Sequence, residues 1–301
     1  MKIERSNILE LIGKGNNKYH SCVITSYSID LAFFEQLILP RLRSAGITNI
    51  NLFVDAAMLE KYLSSHLSNS SIKFKANYSI TPVHISGAFH PKILFLAGKD
   101  KGYLSVGSGN ITSSGLLYND EIWSSFYTSK ERTDTQPIFK SAWKYIQKLS
   151  LHCTDNNKTK IGWINQHSQW INKLENIQNA TETIKGIVYK LSYTQKDNSL
   201  YKDVISKLSK NPTSIKIIAP YYNRSGAFLQ RLIDDLAPLE IHCIVDIANG
   251  ILPIDFKSNK SQFSNWGDVI KDGNSKSIQR LHAKMIQLEY ENKTVFILGS
   301  A

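Results

Sequence analysis

The sequence predicts an α/β protein built from two related lobes. Three observations carry that expectation. Apolar strand-like runs alternate with amphipathic helical patterns, the order of these elements recurs once about 190 residues later, and a His-x-Lys pair occupies the same place in both copies.

In the first copy, Cys22 to Tyr27 reads as a short buried strand. Asp30 then stands as a helix N-cap before an apolar pattern at Leu31, Phe34, Leu37, Ile38 and Leu42. After Gly46 comes a second strand, Ile50 to Val54, ending at Asp55. His90 to Leu96 has high strand propensity, and Tyr103 to Val106 leads into the glycine-rich turn Gly107-Ser108-Gly109-Asn110-Ile111-Thr112. The second copy repeats the order with a strand at Ile215 to Tyr221 and a helical pattern at Phe228, Leu229, Leu232, Ile233 and Leu236. A strand from Ile241 to Val245 then ends at Asp246, and Leu281 to Ile286 carries the second His-x-Lys. Residues 1–150 are therefore expected as an N-terminal lobe and residues 186–301 as a C-terminal lobe. Residues 151–185, with apolar positions at Ile164, Trp170, Ile171, Leu174 and Ile177, are expected as a helical connector.

With 301 residues and 42% hydrophobic content, the chain can bury a core. Its net charge of +11 favours polyanions such as nucleic acid or an anionic surface. The first twenty residues hold six charged side chains and no apolar run of signal-peptide length, and no later segment approaches a membrane span, so a cytoplasmic protein is expected. The three cysteines, Cys22, Cys153 and Cys243, are far apart in apolar stretches. They read as reduced buried thiols rather than a disulfide framework or a zinc site.

Strand geometry puts His90 and Lys92 on one side of the chain, and His282 and Lys284 likewise. A single His-x-Lys is ordinarily just an exposed pair. Here His90, Lys92 and Gly107-Ser108 reappear as His282, Lys284 and Gly299-Ser300, all displaced by 192 residues. If two such lobes face each other across a twofold axis, two imidazoles and two ammonium groups converge where a phosphate could bind. In the glycine-rich turn, small residues let backbone N–H groups approach an anion, and the Ser108 hydroxyl and Asn110 amide can donate to phosphate oxygens.

His-x-Lys followed by Gly-Ser-x-Asn, in two copies across nearly the whole chain, resembles the phospholipase D superfamily. That family includes phospholipases, cardiolipin synthases, bacterial nucleases, restriction enzymes and tyrosyl-DNA phosphodiesterase. The resemblance implies two pseudo-twofold lobes, each a mixed β-sheet flanked by helices, with the active site at the lobe interface. It implies an orienting role for Glu121, eleven residues after Asn110, because an acidic residue near that position holds a catalytic histidine in the family. Two departures stand out. Many members have Asp five residues after the motif lysine, where this chain has Ala97 and Glu289, which points to the nuclease-like or tyrosyl-DNA-phosphodiesterase-like branch. The chain also ends at Gly299-Ser300-Ala301, before the Asn of a second complete motif, and is expected to be a fragment of a longer protein.

By resemblance, one histidine attacks phosphorus and the other serves as acid and then base, with His90 assigned the first role and His282 the second. Lys92, Lys284, Ser108, Asn110 and Ser300 would hold the phosphoryl oxygens. Neither cofactor nor metal is called for, since the sequence has no His-Glu-x-x-His, clustered Asp-x-Asp or Cys-x-x-Cys. The expected substrate is nucleic acid, DNA before RNA, with Tyr27, Tyr221 and Tyr222 at strand ends where they could stack on bases. The family suggests restriction, phage defence or repair as a setting, and leaves a homodimer or a partner ATPase or helicase open. A lipid phosphodiesterase or phosphatidyltransferase would share the motif chemistry but would want an apolar acyl surface. A silent nucleic-acid scaffold would not need His and Lys intact in both halves.

Overall fold

The computed structural model describes residues 18–66, 77–174, 183–184, 187–188, 190–193, 199–269 and 279–299. The chain divides into two compact units. One holds the residues up to Leu117 together with Ser124–Leu191, and the other holds Tyr118–Trp123 with the residues from Ser192 to Ser300.

In the first unit the strands are β1 (Ser21–Ser26), β2 (Asn49–Asp55), β3 (Ser79–Val83), β4 (Ile93–Ala97) and β5 (Gly102–Gly107). Further along the chain come the short β6 (Asn119–Asp120), which belongs to the second unit, and β7 (Trp123–Thr128). All but β6 form a six-stranded sheet in the order β3-β2-β1-β4-β5-β7. β1 runs parallel to β2 and antiparallel to β4, and β4 runs antiparallel to β5. Every residue of β1 is buried, as befits a central strand covered on both faces. The expected helix after it, α1, combines Leu31–Phe33, a π-turn Phe34–Ile38 and Leu39–Ser44. Asp30 caps it by accepting the Phe33 N–H at 3.0 Å. Helix α2 (Ala56–His66) follows β2.

Helices α3 (Gln136–Leu149), α4 (Asp155–His167) and α5 (Gln169–Lys173) complete the first core. Phe139, Trp143, Ile146, Ile161, Ile164 and Trp170 join Val23, Phe53, Phe95 and Leu104 in one buried cluster. Burying a side chain such as Phe139 contributes about 1.5–3 kcal/mol. Residues 151–174, expected as a connector, thus belong to the first unit, because their apolar positions are spent on its core. A two-stranded element, β8 (Thr183–Ile184) and β9 (Ile187–Val188), follows.

The second unit contains α6 (Leu200–Ile205), β10 (Ser214–Ile218), α7 (Ala227–Leu236), β11 (Glu240–Val245), β12 (Ser261–Asn265) and α8 (Trp266–Val269). After these come β13 (Arg280–Leu281), β14 (Met285–Tyr290) and β15 (Lys293–Leu298). Its sheet has the order β12-β11-β10-β14-β15. β10 is parallel to β11 and antiparallel to β14, and β11 is parallel to β12. Leu229, Leu232 and Leu236 of α7 pack with Ile215, Ile217, Cys243 and Leu288 of the sheet.

Strand for strand, β3-β2-β1-β4-β5 and β12-β11-β10-β14-β15 have one order and one set of senses. The sequence repeat is therefore a repeat of topology, two mixed α/β sheets flanked by helices. Among the described residues no helix is long and apolar enough to cross a membrane.

Candidate active site

The motif residues lie just ahead of the strands rather than within them. β4 begins at Ile93 and β14 at Met285, so His90-Pro91-Lys92 and His282-Ala283-Lys284 are approaches to a strand. The reason in the first unit is chemical. Pro91 has no N–H for a ladder, and the Thr25 hydroxyl serves both flanking groups, donating to Pro91 O at 2.9 Å and accepting from Ile93 N at 2.9 Å. In the second unit the N–H groups of His282 and Ala283 are spent on one acceptor, Asp120 O, at 2.9 and 2.8 Å.

Lys92 is 1% exposed, an uncommon place for an ammonium group unless it is held. Its Nζ donates to His90 O at 2.8 Å and lies 2.9 Å from His90 Nδ1. The Tyr27 ring stands 4.8 Å from the His90 ring, with Lys92 Nζ 5.7 Å from the Tyr27 centroid. The glycine-rich turn is stitched to the end of β1. Asn110 Oδ1 accepts the Tyr27 N–H at 3.3 Å and the Ser26 hydroxyl at 3.4 Å, while Ser26 Oγ accepts the Ile111 N–H at 3.0 Å. With its carbonyl oxygen engaged there, the Asn110 NH2 is the end of the amide suited to an anion. Ser108 is fully buried at the end of β5.

The second unit repeats the His–Lys geometry. Lys284 Nζ donates to His282 O at 2.6 Å and lies 3.1 Å from His282 Nδ1. Here an acidic partner is present, since Glu121 Oε1 is 2.7 Å from His282 Nδ1. Glu121 reaches it because β6 pairs in parallel with β13, matching Asn119 to Arg280 and Asp120 to Leu281. The Trp266 indole N–H holds the Asp120 carboxylate at 3.2 Å. A carboxylate on Nδ1 calls for the ring proton there, so neutral His282 carries its lone pair on Nε2. Burial pulls the Lys284 pKa down to about 8, against the raising effect of Glu121 and with a further lowering by Arg280.

Tyr221 and Tyr222 part company. Tyr221 is 42% exposed, its ring 6.3 Å from that of His282, whereas Tyr222 is 7% exposed and packed in the core. The expectation of a nucleic-acid contact therefore attaches to Tyr27 and Tyr221 and not to Tyr222. Ser300 lies outside the described residues. The three cysteines are buried free thiols, and burial pushes the Cys243 thiol up to about 12, far from the range of a nucleophile at neutral pH. Among the described residues no three His, Cys, Asp or Glu side chains gather as a metal ion would require.

Sequence reasoning missed two kinds of residue. Asp55 and Asp246 are buried and each accepts the N–H of the residue before its motif histidine, Phe89 at 2.8 Å and Leu281 at 3.2 Å. Their matched Val-Asp placement was the available signal. Arg280, two positions before His282, was signalled only by the alternation of side chains along the chain.

Fold and motifs together define a duplicated α/β protein with one His–Lys pair in each unit. No protein-family model matches the sequence, and no curated protein matches it. Among solved structures, polyphosphate kinase from Porphyromonas gingivalis is similar at 12% identity and TM-score 0.49. That likeness covers 97% of this chain but only 42% of the kinase. NucT from Helicobacter pylori is similar at 18% identity and TM-score 0.34, over 49% of this chain and 89% of NucT. Yeast tyrosyl-DNA phosphodiesterase is similar at 13% identity and TM-score 0.42, over 80% of this chain and 62% of the yeast protein.

Proposed function

We propose that this chain is a phosphodiesterase of the phospholipase D superfamily that cleaves nucleic acid, DNA before RNA, through two histidines and without a metal ion. The observation that carries the reading is the Glu121–His282–Lys284 arrangement, whose His–Lys geometry recurs at His90 and Lys92. A net charge of +11 supports a polyanionic substrate.

In the proposed reaction the His90 Nε2 lone pair attacks phosphorus, a P–N bond forms and the P–O bond to the leaving group breaks. The leaving oxygen takes its proton from Nε2 of His282, which enters this step as the imidazolium, with Glu121 on its Nδ1–H, and leaves it as the neutral ring with its lone pair on Nε2. Water then attacks phosphorus and gives a proton to His282 Nε2, the P–N bond breaks, and a phosphomonoester leaves with His90 restored. Glu121 keeps the His282 ring turned so that Nε2 exchanges the protons. Lys92, Lys284, Ser108 and the Asn110 NH2 meet the phosphoryl oxygens.

The test is a nuclease assay on DNA and RNA in excess chelator with wild type, His90→Ala and His282→Ala. Cleavage by wild type and its loss in both variants are expected. Abolition of wild-type cleavage by chelator, or full activity in either variant, would overturn the reading.

A further inference from the structure

Along Arg280-Leu281-His282-Ala283-Lys284 burial alternates. Leu281 and Ala283 are buried, while Arg280, His282 and Lys284 emerge on the other side. The position matching Arg280 in the first copy is Ala88, so this cation belongs to one half alone. Arg280 Nη2 donates to the Tyr221 hydroxyl at 2.5 Å, which fixes the guanidinium beside the ring that stands 6.3 Å from His282. That bond uses one of five guanidinium N–H groups, and among the described residues no carboxylate pairs with Arg280.

We propose that Arg280, held by Tyr221, binds the phosphate next to the one being cleaved, so that the second half-site selects a strand of linked phosphodiesters over an isolated one. The inference rests on the phosphodiesterase reading and deepens it. Two residues of extended chain span about 7 Å, of the order of the separation of successive phosphates along a nucleic-acid strand. A guanidinium fork suits two oxygens of one phosphate, a geometry the Lys284 ammonium cannot match. Arg280 also adds to the effects that lower the Lys284 pKa, after burial and against Glu121. That like-charge cost is offset when a second anion sits on Arg280. A phospholipid with a single phosphate linkage leaves Arg280 without a ligand.

The experiment measures binding of thymidine dinucleotide, with one phosphodiester, and trinucleotide, with two. It is done by calorimetry in a His90→Ala background that keeps both uncut. The trinucleotide is expected to bind about tenfold more tightly. Arg280→Ala should erase that advantage by weakening the trinucleotide far more than the dinucleotide, with Arg280→Lys and Tyr221→Phe keeping part of it. Equal weakening of both ligands by Arg280→Ala, or no weakening of either, overturns the inference. Failure of the underlying reading shows elsewhere, as absence of wild-type cleavage in chelator.

Discussion

Asp55 and Phe89 are joined by a hydrogen bond that sets the approach to the first motif. Asp55 Oδ2 accepts the Phe89 N–H at 2.8 Å, one residue before His90, while its Oδ1 accepts the Met58 N–H at 3.0 Å at the start of α2. Asp246 does the same in the second unit, accepting Leu281 N at 3.2 Å and Asn249 N at 2.9 Å. One carboxylate thus ties the end of a parallel strand to the backbone that carries the motif histidine. An Asn at either place presents an NH2 to one of two N–H donors, leaving that donor buried without an acceptor. Asp55→Asn and Asp246→Asn should each lower unfolding free energy by about 1–3 kcal/mol. Urea denaturation checks it, and an unchanged midpoint would mean that the carboxylates are not needed to hold the motif.

Glu121 acts through His282 rather than on substrate, so its removal should show in kcat. Glu121→Ala should lower kcat by about 10²–10⁴-fold with KM little changed, because a free imidazole no longer keeps Nε2 as the working nitrogen. Glu121→Gln retains an acceptor oxygen and should fall between. Steady-state kinetics across pH separates this from loss of fold. A matching rise in KM without a kcat effect would count against the positioning role.

Gly115 underlies the glycine-rich turn. A Cβ there would stand 2.5 Å from Asn110 O and 2.7 Å from Asn110 N, and backbone atoms cannot yield cheaply. Gly115→Ala should therefore cost about 1–3 kcal/mol of stability. It should also loosen the Asn110 contacts with Tyr27 and Ser26, which amide hydrogen exchange at Tyr27 would report. Unaltered exchange would remove the turn from the list of structures that Gly115 supports.

The elements legible in the sequence were those with local signatures. Apolar runs marked β1, β2, β10 and β11, Asp30 marked a cap, and the 192-residue displacement of His90 and Lys92 foretold the matched strand orders. What escaped was non-local. Nothing in Asn119-Asp120 reveals that it pairs with Arg280-Leu281, about 160 residues away. Ile164, Trp170 and Ile171 announce apolar helical positions but not the sheet that covers them. High strand propensity from His90 onward was overridden by the Thr25 hydroxyl and by Pro91, which delay β4 to Ile93. The carboxylate on His282 was legible only through family resemblance.

Lys284 ties activity to a cost in stability. Burial, opposed by Glu121 and reinforced by Arg280, takes its pKa from 10.5 to about 8, so the folded chain gives up this proton more readily than the unfolded one. Between about pH 8 and 10.5 the unfolded state holds the extra proton, and this residue's contribution to stability rises with pH across that window. Below about pH 8 the penalty for the buried ammonium is fully present. Lys284→Met, of similar length and uncharged, should be more stable than wild type at pH 7, with the gap closing as pH climbs toward 10.5. The same variant should lose about 10²–10³-fold in kcat, because the charge that meets the phosphoryl oxygens is gone. Wild-type activity should decline above about pH 8 as the ammonium discharges. Thermal melts of both proteins at pH 7 and pH 10, with a pH–rate profile of the wild type, check all three. A Lys284→Met protein less stable than wild type at pH 7 would show that the ammonium supports the fold rather than burdening it.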